Sequence, residues 1–164
     1  MLNNLIKNFN FVLTYSCILA LSALVTITVI DVAGRYLFNF PLAGASEITE
    51  ILLAIIIFIG LPYITKEEGH VTVSIFTQKL SLIHSKIHSI IINILIFILL
   101  IFISKNLLYH GLNLYSYNEI TTYLEIPKAP IAFLMAFLTL LAAFSALFNS
   151  YNYIIKKVKT SENK

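Results

Sequence analysis

Asp31, Arg35, Glu47 and Glu50 bring four ionic side chains into twenty positions of a chain whose neighbouring segments carry almost no charge. Asp31 and Arg35 are four residues apart, so on one continuing helix they share a face and can pair. Glu47 and Glu50 follow on adjacent turns of the next segment, beyond a short break at Asn39, Pro41 and Gly44. Three kinds of chemistry could use such a group. It could be a charge network that fixes two helix ends, a docking point for another protein, or the proton or ion site of an autonomous transporter. Ionic groups within a membrane are functional candidates by default, but these lie at a segment boundary, where desolvation costs less than at the centre.

The other reactive side chains are scattered. His84 and His88 have the i, i+4 spacing that could share a metal, yet Lys86 lies between them and no carboxylate stands nearby to complete a site. An HxxxH without further ligands reads more simply as a solvated polar face. His70 and His110 belong to different connections, and no histidine pair is placed to bracket a haem. Cys17 is the one cysteine, so no intrachain disulfide can form. Deep in the apolar segments the polar residues are Asn93 and scattered Ser and Thr. No nucleophile triad or phosphate loop is present, so no catalytic, cofactor-binding or metal-binding residue is assigned, and an enzyme is not expected.

The elements that carry these residues follow from composition. Hydrophobic residues make up 59% of the 164 and charged residues 12%, against about 45–50% and about 25% in ordinary globular domains. A chain this short cannot hide that much apolar surface in one core. The surplus must face lipid. Four apolar runs approach the ~20 residues that span ~30 Å of hydrocarbon, and they lack the two-residue alternation of barrel strands. The expected fold is an all-α integral membrane protein of one domain, 1–164, with transmembrane helices over about 11–35, 47–65, 87–104 and 129–153. The first run is longer than the apolar core of a cleavable signal and is expected to remain as a helix.

The connections differ. Ser46 with Thr49 or Glu50 resembles a capping box opening the second helix, and Gly60 and Pro62 are expected to loosen its far end. Val73, Phe76, Leu80 and Ile83 recur at helical spacing, which predicts a short amphipathic helix over 71–83 lying in the membrane interface. A long connection over 106–126 carries Tyr109, Tyr115, Tyr117 and Tyr123, suited to an interfacial belt. Four crossings put both termini and the middle loop on one side, with eight basic residues against three on the other. The positive-inside bias then places both termini in the cytoplasm. The modest net charge of +3 reports on topology and gives no reason to expect nucleic acid.

In the last segment Ala129, Ala132, Ala136, Thr139, Ala143, Ala146 and Ser150 recur at alternating steps of three and four. In lipid, apolar bulk alone does not bring helices together, whereas small residues permit close backbone approach. That face is expected to pack against another helix, of this chain or of a partner.

Arg35 closing the first helix, Glu47 opening the second, and Gly69-His70-Val71-Thr72-Val73 after it together resemble the small membrane subunit of TRAP (tripartite ATP-independent periplasmic) transporters, of the DctQ/SiaQ type. The family often has a tryptophan just before the glutamate, where Ala45 stands here. The resemblance implies a non-catalytic subunit in a bacterial inner membrane that binds no cofactor itself. It implies two protein partners besides membrane lipid. One is a large permease subunit of the DctM/SiaM type that holds the sodium and organic-acid sites, and the other a periplasmic binding protein of the DctP/SiaP type. Asp31, Arg35, Glu47, Glu50 and His70 would then be structural or interface residues. The two alternatives outside this family are a four-helix multidrug-type exporter, which needs a carboxylate buried in mid-helix, and a haem or quinone membrane subunit.

Overall fold

The computed structural model describes residues 2–66 and 82–162. The amphipathic helix expected over 71–83 lies almost wholly outside the described residues, and so does His70. Among the described residues the chain forms four α-helices: α1 Leu2–Leu37, α2 Ala45–Lys66, α3 Leu82–Ser116 and α4 Ala129–Glu162. Each contains a stretch long and apolar enough to cross a membrane, namely Phe11–Leu37, Ala45–Lys66, His88–Ser116 and Ala129–Tyr151. Runs of Ile, Leu and Phe with few breakers form helices here because lipid offers no partner for an open backbone, and a helix satisfies its own groups.

α3 continues through a region expected to be a connection. Its helix passes residue 104 and ends at Ser116. Polar residues in this stretch bond along their own helix: Asn106 Nδ2 donates to the Phe102 carbonyl at 2.8 Å and Ser116 Oγ to the Leu112 carbonyl at 2.9 Å. Meanwhile Gly111 and Leu114 turn inward. A Cβ at Gly111 would stand 2.9 Å from the Phe133 ring, and Leu114 packs with Ala129 and Ala132. The remaining connection, 117–128, is compact.

The start of α2 also differs from expectation. The helix opens at Ala45, with the Ile48 amide donating to the Gly44 carbonyl, and Thr49 Oγ1 donates to the Ser46 carbonyl at 2.9 Å. Gly44, with φ +78°, therefore occupies the capping position assigned to Ser46. At its far end α2 runs through Gly60 and Pro62 to Lys66. Pro62 supplies no N–H for the Phe58 carbonyl, but the helix persists around it, and Pro62 itself is buried.

The main packing partners are α1 with α2, α2 with α4, and α4 with α3. The helices thus stand as an open row, α1–α2–α4–α3. α4 is the most enclosed, with 39% of its apolar window buried, against 6% in α1. Ala129, Ala132, Ala136, Thr139, Ala143, Ala146 and Ser150 are all buried, as is Ala142. Ala142 and Ala143 meet Leu100, with Leu61, Ile96, Phe97 and Ile101 around them. The small face of α4 is thus covered within the chain, by α3 and α2. Ser104 Oγ of α3 donates to the Ala136 carbonyl at 2.9 Å, a contact that requires the two backbones to lie close. Ala143→Leu, at a site with no exposed surface, should destabilise the fold by about 1–3 kcal/mol through overpacking. Thermal unfolding in detergent reads this, and an unchanged midpoint would mean that α4 is not closely packed there.

Candidate functional site

The charged residues gather at the end of the molecule that carries the α1–α2 turn and the α3–α4 connection. α1 ends where Asn39 adopts φ 50°. The Gly34 carbonyl accepts hydrogen bonds from the amides of Phe38 at 3.1 Å and Phe40 at 3.0 Å. The chain folds back so closely that a Cβ on Gly34 would lie 2.7 Å from the Phe40 carbonyl oxygen, so only glycine fits. Asp31 then holds the turn from below. Its Oδ2 accepts a hydrogen bond from Arg35 Nη2 at 2.8 Å, and its Oδ1 accepts one from the Leu42 amide at 3.0 Å. The Asp31 carboxylate is mostly enclosed, whereas the Arg35 side chain is 60% exposed. One residue thus pairs along the helix and ties down the turn eleven residues later.

Glu47 makes a second, separate clamp. Its Oε1 accepts the Tyr123 amide at 2.7 Å and its Oε2 the Leu124 amide at 3.0 Å. Two N–H groups on one ionised carboxylate give charge-assisted bonds, stronger than neutral ones. The amides are presented by a folded connection. Asn118, at φ 50°, closes α3 with Glu119 N–H to the Leu114 carbonyl and Asn118 N–H to the Tyr115 carbonyl, the paired bonds of a Schellman cap with asparagine in the left-handed position. Beyond it the Thr121 amide meets the Ile126 carbonyl and the Lys128 amide meets the Glu119 carbonyl, both at 3.0 Å. Glu119 and Lys128 also form an ion pair at 3.7 Å. The tip of this small hairpin lies over the α1–α2 turn, where Leu124 leaves no room for a Cβ on Gly44.

The four rim residues therefore do not act as one acidic cluster. Asp31 and Arg35 are paired, Glu47 is engaged with the α3–α4 connection, and Glu50 is exposed with no ion pair among the described residues. His110 is exposed, and His88 lies on α3. Among the described residues no group of three or more His, Cys, Asp or Glu converges as a metal site would need.

Two interhelical contacts went unread in the sequence. At the opposite end Asn149 of α4 is buried, and its Nδ2 donates to the carbonyls of Thr65 at 2.9 Å and Lys66 at 3.2 Å. It thereby satisfies carbonyls that the last turn of α2 leaves open. An asparagine one position before the last member of a small-residue stripe is the available signal. The other contact is that of Ser104, whose hydroxyl looks unremarkable in an apolar run. By contrast Asn93, which stood out as polar, bonds along its own helix, to the Ser89 carbonyl at 3.0 Å.

Four long apolar helices, each able to cross a membrane, define a multi-pass membrane protein. The family profile for tripartite ATP-independent periplasmic transporters, DctQ component, matches residues 24–154. A protein of Haemophilus influenzae (strain ATCC 51907 / DSM 11121 / KW20 / Rd), provisionally named a TRAP transporter small permease protein, is 31% identical over 163 residues, covering 96% of this chain and 92% of its own length. The chain belongs to the DctQ family, and as such is a membrane component of a transporter.

The clamps predict distinct responses. Glu47→Ala should speed amide hydrogen exchange at Tyr123 and Leu124, with Glu47→Gln intermediate because its amide keeps one acceptor oxygen. Equal exchange in all three proteins would dismiss the clamp. Asn149→Leu strands two α2 carbonyls and should cost about 1–3 kcal/mol, seen as a lower unfolding midpoint with helix content retained.

Proposed function

We propose that this chain is the small, non-catalytic subunit of a sodium-coupled TRAP transporter importing an organic acid, such as a C4-dicarboxylate or a sialic acid. It braces a large permease subunit and adds to the surface on which a periplasmic binding protein docks. In this reading both termini lie in the cytoplasm, the clamped rim faces the periplasm, and the protein resides in the bacterial inner membrane. Sodium and cargo are held by the large subunit, and this chain binds no cofactor.

One observation carries the bracing role. Most polar side chains within the helix contacts are engaged with backbone carbonyls: Ser104 with Ala136, Thr139 with Met135, Asn93 with Ser89, and Asn149 with Thr65 and Lys66; among the described residues the buried Ser150 hydroxyl, near one end of α4, is the exception. A solute path needs polar groups or broken helices presented near the bilayer midplane. Here Ser104 and Asn149 tie neighbouring helices, Thr139 and Asn93 bond along their own, and the open row leaves broad apolar faces for lipid and for a partner. Membership of a transporter family supports the reading that the cargo site lies in another polypeptide.

The test is reconstitution. The chain alone in liposomes should move no organic acid, and co-expression with the large permease should yield a co-purifying complex. Arg35→Glu places a like charge beside Asp31 and releases the α1–α2 turn, so it should weaken complex assembly or delivery without altering sodium selectivity. An intact, fully active Arg35→Glu complex would remove the rim from the interface, and uptake by the chain alone would overturn the bracing role itself.

A further inference from the structure

Two connections share the clamped rim, and their surfaces differ in chemistry. The α3–α4 connection exposes Glu119, Glu125 and Lys128 and hydroxyl-bearing Tyr117 and Tyr123, interspersed with the less exposed Ile120 and Leu124. The α1–α2 turn exposes Tyr36, Leu37, Phe38 and Phe40, each between 75% and 80% accessible. That is a concentrated apolar patch on a tight turn, where a water-facing loop would carry polar side chains.

The backbone beneath the patch is unusually self-sufficient. The amides of Phe38 and Phe40 are bonded to the Gly34 carbonyl, that of Leu42 to Asp31, and that of Ala45 to the Leu42 carbonyl. Pro41 has no N–H to satisfy. The Asp31 charge is paired with Arg35. Non-helical backbone is tolerated at membrane depth only where its polar groups find partners, and this turn supplies most of them from within. The patch is also continuous with the apolar surfaces of Phe11–Leu37 and Ala45–Lys66, which belong to the membrane-spanning helices on either side of it.

We infer that the α1–α2 turn is an interfacial anchor, seated in the bilayer with Leu37, Phe38 and Phe40 among the acyl chains. Arg35 and Asn39, both exposed, lie at the level of the lipid phosphates, where a long arginine side chain reaches readily. Tyr36 presents an aromatic ring suited to the same boundary. The occupant of the patch is lipid. This inference rests on the membrane character of the family and is independent of the bracing role, because contact with lipid is measured without transport.

The chain contains no tryptophan, so Phe38→Trp and Phe40→Trp each introduce a single fluorescent reporter into it, read in the presence of the permease as the difference from the unsubstituted complex. The full chain is reconstituted in phosphatidylethanolamine–phosphatidylglycerol vesicles, alone and with the large permease subunit. Lipids brominated at shallow or deep acyl positions serve as quenchers from within the bilayer, and iodide as the quencher from water. Phe102→Trp, on an exposed apolar face of α3, is the reference for a lipid-facing site. The expected result, for both turn variants and in both preparations, is blue-shifted emission and strong quenching by shallow-brominated lipid, with little effect of iodide. Quenching by iodide without quenching by brominated lipid would put the turn in water and overturn the inference. Protection from both quenchers once the large subunit is present would overturn it equally, by making the patch a protein contact. Unchanged helix content and unfolding midpoint in each variant establish that the native turn is being read.

Discussion

Close backbone approach along the small-residue face of α4 is the interaction that organises this protein. In lipid no hydrophobic force drives one apolar helix onto another, so association depends on packing and on interhelical hydrogen bonds. Alanines at 129, 132, 136, 142, 143 and 146, with Thr139 and Ser150, leave α4 narrow on the side that faces α2 and α3. Only with that narrowness can the Ser104 hydroxyl reach the Ala136 carbonyl of the next helix. Gly111 extends the same principle to the rim, where a side chain would strike the Phe133 ring.

The clamps at the two ends convert this side-by-side contact into a defined register. Glu47 ties the start of α2 to the tip of the α3–α4 connection, and Asn149 ties the end of α2 to α4. α2 is thereby fastened to the α3–α4 hairpin at both membrane boundaries. α1 is held differently, by apolar contact with α2 and by the Asp31 bond that closes the turn between them. The charged groups that first look like a reactive cluster are thus largely occupied in holding helix ends. This suits the proposed bracing role of a DctQ-family subunit: rigid edges and broad apolar faces matter more than a polar interior.

Much of the architecture was legible because membrane physics leaves few choices. Twenty-odd apolar residues in lipid become a helix, and alternating steps of three and four in small residues mark a packing face. The misreadings have equally physical causes. The stretch after residue 104 was expected to be a connection, but the polar side chains of Asn106 and Ser116 bond back to their own helix, and the inward-facing Gly111 and Leu114 decide that the helix continues. Ser46 had the composition of a cap, yet Gly44, with its positive φ, could take that position while Leu124 closed over it.

From the chain of residues alone came the four apolar helices, the Asp31–Arg35 pairing and the membrane-subunit family. These depend on local spacing and on the demand that backbone groups in lipid be satisfied. The tertiary structure alone decided which helix covers α4, that Glu47 reaches amides 76 and 77 positions away, and that Asn149 rather than Asn93 joins two helices. Such bonds join residues whose separation along the chain carries no periodic signal, so they become visible only once the helices stand side by side.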